Sequence, residues 1–106
     1  MLSMTLLELR DLLLTVGVPV YHYHASKQTE SYIVWSEFGT KKLNSDSQMK
    51  EKVIKVQVDL FTKTEFDPNV EEIDSVLDSD DISFDYQVDY EEDAGYIHHI
   101  WDCEVA

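Results

Sequence analysis

The stretch Ile82-Ser83-Phe84-Asp85-Tyr86-Gln87-Val88-Asp89-Tyr90 alternates apolar and polar residues without a break. A period of two puts Ile82, Phe84, Tyr86, Val88 and Tyr90 on one face of a strand and Ser83, Asp85, Gln87 and Asp89 on the other. The run continues through the polar, glycine-ended segment Glu91 to Gly95 into the aromatic and β-branched residues Tyr96 to Val105. Two strands joined by so short a turn form an antiparallel hairpin.

Upstream, residues 53–63 place Ile54, Val56, Val58 and Leu60 opposite Lys55, Gln57 and Asp59, a half-buried strand. Tyr32 to Phe38 reads as another strand, and residues 19–24 as a short extended segment. A helix over 68–78 joins the third strand to the hairpin. Asp67 suits its N-cap, Pro68 its first position, and Val70, Ile73 and Leu77 its buried side, with Glu71 and Glu72 at the positive end of the dipole. A first helix over 4–16 carries Leu2, Leu6, Leu9, Leu13 and Val16 at helical spacing before Gly17 and Pro19 end it. Leu7 and Leu14, one heptad apart on another side of that helix, exceed what a single core-facing stripe needs. The predicted core comprises Leu6, Leu9, Leu13, Trp35, Val56, Val58, Ile73, Leu77, Phe84, Val88 and Trp101. The segment Gly39 to Lys52 has few apolar residues and carries Lys41, Lys42, Lys50 and Lys52, so it reads as a long exposed loop. The expected fold is one α+β domain over residues 1–106. Two helices pack on one face of a mainly antiparallel sheet, in the order α-β-loop-β-β-α-β-β.

At 106 residues the chain can bury one core, and with Gly and Pro together numbering five it has the composition of a folded domain despite its charge of −14. That charge is unevenly placed. All eight Lys and Arg lie in residues 1–63, whereas residues 64–106 hold fifteen acids and none of either. A surface of that sign repels phosphate, which disfavours specific nucleic-acid binding and anionic membranes. Cys103 is the single cysteine, so no intramolecular disulfide forms and a reducing compartment is expected. Glu8, Arg10 and Asp11 interrupt what would be a signal peptide, and the longest uncharged run, Leu12 to Ser26, falls short of the ~20 apolar residues of a membrane span. No membrane anchor is expected.

Candidate chemistry is sparse. His22 and His24 share a face of an extended segment and need His98 or His99 as a third metal ligand, but nothing in the spacing joins them. The acidic run from Asp78 meets Ile82 and Ser83 where a calcium loop requires an oxygen ligand and glycine. Cys103 and His99 share a strand face with Ile97, Trp101 and Val105, which makes the thiol a buried hydrophobe. The reading is a non-enzyme without a cofactor. Asp85 and Asp89 on one hairpin strand, with Asp102 and Glu104 on the other, form a candidate group of four carboxylates.

Three stretches carry a family resemblance: TESYIVWSEFG at 29–39, VIKVQVDLFTKTEFDPNVEEIDSVL at 53–77 and YEEDAGYIHHIWDCEV at 90–105. In these pieces and in the order of its elements, the chain resembles the tail terminator or tail completion proteins of long-tailed phages and prophages. The resemblance implies a structural virion protein that caps the tail tube and joins tail to head at the head–tail junction, present in the host cytoplasm before assembly. Its implied partners are further copies of itself in a ring, hexameric in relatives of known form, together with a tail tube protein and a head connector protein. Leu7, Leu14, Lys41, Lys42, Lys50 and Lys52 are then candidates for the subunit or partner interface, and Asp85, Asp89, Asp102 and Glu104 for a channel lining. The alternative from another class is a small acidic DNA-mimic inhibitor of a nucleic-acid-binding protein, supported by the acidity of the second half.

Overall fold

A computed structural model describes residues 4–44 and 50–106, the side chains of 43, 44, 50 and 51 excepted. The elements follow in the order α1 (Leu6–Leu14), β1 (Val20–His22), β2 (Ser31–Asn44), β3 (Lys50–Thr62), α2 (Asn69–Leu77), β4 (Ile82–Glu91) and β5 (Tyr96–Val105). The five strands form one sheet in the order β1-β2-β3-β5-β4, antiparallel at every junction except β1–β2. This is the α+β arrangement expected from the hydrophobic periods.

Helix α1 starts at a capping box: the Glu8 N–H donates to Thr5 Oγ1 and the Thr5 N–H to Glu8 Oε1, both at 3.1 Å. Its Leu9 and Leu13 are buried, with Leu6 and Val16 packed at the margin; Leu2 lies outside the described residues. Helix α2 begins one residue later than expected, at Asn69, but the Asp67 carboxylate still accepts from the Asn69 N–H at 2.9 Å. Both helices pack on the sheet face that carries Ile33, Trp35, Val56, Val58, Leu60, Trp101, Cys103 and Val105. Burying each aliphatic side chain of this set contributes about 1.5–3 kcal/mol before the entropy of ordering it. The Trp101 Nε1–H donates to Asp74 Oδ1 at 2.7 Å, which ties α2 to the centre of β5 while satisfying a buried donor.

A smaller cluster of Tyr32, Val34 and Tyr96, with Tyr21, Ala25 and Phe61, forms on the other face. The chain between the parallel strands β1 and β2 returns across it, and the Tyr96 hydroxyl donates to the Thr29 carbonyl at 2.7 Å. At the β4–β5 turn, Gly95 adopts φ +72 and its N–H reaches the Glu91 carbonyl at 2.8 Å, a backbone conformation that glycine takes without a Cβ penalty.

Two expectations are corrected. The segment 39–52 is not a long loop: β2 continues to Asn44 and β3 begins at Lys50, with Thr40 opposite Ile54, Lys41 opposite Val53 and Lys42 opposite Lys52. A register shift in the β2–β3 pairing falls between Glu37 and Gly39, just past the point where β1 stops. Residues 45–49 of the expected loop lie outside the described residues. Val88 is not in the core but 55% exposed, because α2, nine residues long, covers only the start of β4, where Ile82 and Phe84 pack.

Candidate functional site

The continuation of β2 and β3 makes a basic arm. Ile54 is the last β3 residue paired with β5, so residues 50–53 pair with β2 alone. Phe38, Gly39, Thr40, Lys41, Lys42 and Lys52 are exposed on this arm; the Lys50 side chain lies outside the described residues. Lys42 and Lys52 oppose each other in register and therefore share a face. Like charges placed directly across a strand pair disfavour it, so this face is a focus of positive potential. Lys41 faces the other way and reaches Glu104 Oε2 at 3.7 Å, an exposed pair of small energetic weight.

The four carboxylates singled out from sequence come together on the face away from the helices. Asp85 lies directly opposite Asp102, and Asp89 opposite His98. Glu104 lies between Ser83 on β4 and Lys55 on β3. Phe38, Lys55, Ser83, Asp85, Asp102 and Glu104 line a shallow groove of about 300 Å³, and the Lys55 ammonium sits 5.3 Å from the Phe38 ring centroid. The face is acidic with two lysines at its border. Leu7 and Leu14 are 62% and 51% exposed on α1, outside the packed stripe.

The histidines take separate partners. His22 Nε2 contacts Glu37 Oε1 at 2.6 Å while its ring stacks on Trp35 and Tyr23. Hydrogen bonds from Tyr23 and His22 hold the Glu37 carboxyl below its usual range, against the opposing effect of burial. His98 Nε2 lies 2.9 Å from Asp59 Oδ1, with its ring stacked on Phe61. His99 Nδ1 lies 2.6 Å from the Tyr86 hydroxyl, and burial lowers the imidazole's pKa, which favours its neutral form near pH 7. Among the described residues, no group of three or more His, Cys, Asp or Glu could hold a metal ion. Burial pushes the Cys103 thiol up to about 12, which leaves no thiolate for nucleophilic attack at neutral pH.

One surface was not visible in the sequence. Phe66, between β3 and α2, is 93% exposed and holds φ +55, a left-handed conformation uncommon for a bulky residue. It stands at the mouth of a cleft of about 490 Å³ with Val70, Tyr86 and Ile97 as apolar lining and Glu65 and Glu71 as acids. The exposed side chains of Val88 and Tyr90 continue the apolar strip along β4. An isolated aromatic in a polar turn gives no periodic signal. The available hint was Phe66 itself, between Glu65 and Asp67-Pro68.

No protein-family model matches this chain, and no curated protein does. The surfaces themselves therefore carry the functional reading. What they offer is an open basic arm, an acidic sheet face and an acid-bordered aromatic cleft on one elongated body of 50 × 25 × 24 Å. Among the described residues, no helix is long and apolar enough to cross a membrane.

Proposed function

We propose that this chain is a structural assembly subunit of the tail terminator type that its sequence resembles. Copies join head to tail into a ring that caps a tail tube and offers its other side to a head connector. One observation carries the reading: the basic arm and the acidic surface built by the residues from Glu65 onward, the Glu65–Glu71 cleft included, are different surfaces of opposite charge on one body. Complementary but unlike surfaces associate heterologously, and such contacts close into rings when the rotation between neighbours permits. Charge complementarity sets the register and the rate of encounter. Two open strand edges add to this. Among the described residues, strand β4 has no neighbour on its outer side and β2 beyond Trp35 has none opposite β3, so each offers an open strand edge. Lys41 and Lys55 at the border of the acidic face weigh against the DNA-mimic alternative, because cations there interrupt any imitation of a phosphate row.

The test is direct. Concentrated protein viewed by negative-stain electron microscopy should show closed rings, with six copies as the count in the resembled family, and should cosediment with purified tail tubes. A protein that stays monomeric at high concentration and leaves tail tubes bare overturns the proposal.

A further inference from the structure

We infer that the Phe66–Tyr86 cleft receives the lysine arm of the next copy of this chain. The inference rests on the head-to-tail reading above and names the contact that would make it. The first argument is charge. Glu65 and Glu71 stand at the cleft, in the half of the chain that holds no Lys or Arg, while Lys42 and Lys52 oppose each other on the arm. Each of these like-charged groups gains from a partner of the other sign. The second argument is surface chemistry. The exposed rings of Phe66 and Tyr86 bind an ammonium through their π faces and pack against its four-carbon stem. At about 490 Å³ the cleft takes a few side chains and not a whole strand, which suits the paired Lys42 and Lys52 side chains.

The third argument is reach. Strand β3 runs ten residues from Lys52 to Thr62, about 33 Å at the usual rise; the cleft's Ile97 is in register with Thr62, and its Tyr86 stands level with Val58, six residues from Lys52. The lysine pair of the arm thus stands about 20–33 Å along the sheet from the lining of the cleft. An arm cannot fold back into its own cleft, so the occupant comes from another copy. The left-handed backbone at Phe66 has a role in this account: it holds the ring out toward that neighbour.

Charge reversal tests the pairing with exposed residues only. The cleft variant carries Glu65→Lys and Glu71→Lys, and the arm variant carries Lys42→Glu and Lys52→Glu. Circular dichroism and thermal melting check that both remain folded. By sedimentation velocity, each alone should associate at least about tenfold more weakly than the parent. An equimolar mixture should recover assembly, because every junction in an alternating ring again pairs opposite charges. If the parent assembles and both variants assemble as it does, or if both lose assembly and mixing restores nothing, the cleft assignment is overturned while the ring reading stands. A parent that does not self-associate overturns both.

Discussion

Asp67 does two jobs with one carboxylate. It accepts from the hydroxyls of Thr62 at 2.6 Å and Ser31 at 3.1 Å, and from the Asn69 N–H, so it couples the start of α2 to the ends of β2 and β3. Burial by itself raises its pKa, but the hydrogen bonds from Thr62, Asn69 and Ser31 outweigh that, and the folded value lies below the ordinary 3.8. The sign of the pH dependence follows: the stability from this group is present above pH 3.8 and lost as pH falls through the lower folded value. Asp67→Ala should cost about 1–3 kcal/mol in urea unfolding at pH 7, because buried hydroxyls lose their acceptor. The same variant should have a smaller loss of stability than the parent between pH 4 and pH 2. An unchanged urea midpoint would show that the carboxylate is dispensable to the fold.

At the scale of elements, the arm projects past the end of β5 and is open to direct test. Among the described residues, 41–44 pair with 50–53 across one side only. In an antiparallel pair of that kind, amides alternate between those bonded to the partner strand and those facing outward. Hydrogen exchange should therefore alternate along Thr40, Lys41, Lys42 and Leu43, one set protected and the next fast, at protection levels well below those of Val56 and Val58 in the core. Uniformly fast exchange over the whole segment would mean that the strands separate in solution. The arm's position past the end of β5 is also what lets it project toward a partner, since a segment packed on the core has no free face to offer.

For the whole molecule, the paired carboxylates Asp85 and Asp102, with Asp89 and Glu104 on the same sheet face, bear on what the proposed ring does with DNA. If that face lines a channel, like charge at the wall lets a phosphate backbone slide past without the counterion release that accompanies binding to cations. The variant with Asp85, Asp89 and Asp102 changed to Asn and Glu104 to Gln should still form rings, because the four lie away from both the cleft and the Lys42–Lys52 face. Particles carrying it should eject DNA more slowly or retain it. Unchanged ejection kinetics from infectious particles would move this face to the outside of the ring.

Local periodicity alone determined much of this protein. The alternation from Ile82 to Tyr90, the strand around Val58, the leucine spacing of α1 and the punctuation at Asp67 and Pro68 lead to the helices, the hairpin and most of the core, because each of those segments buries one face and a buried face imposes its period on the residues. The same rule explains what the sequence left unread. Residues 39–44 and 50–52 form strands that project past the core and bury little, so no hydrophobic period marks them, and their lysines read as a loop. Val88 keeps the period of a buried position, yet only the length and placement of α2 decide that it is uncovered. The parallel pairing of β1 with β2, the direct opposition of Asp85 to Asp102 and of Lys42 to Lys52, and the cleft that joins Phe66 to Tyr86 and Ile97 all depend on residues distant in the chain. Such contacts follow from the register between strands and the path of the connections, which belong to the folded molecule and not to any one segment.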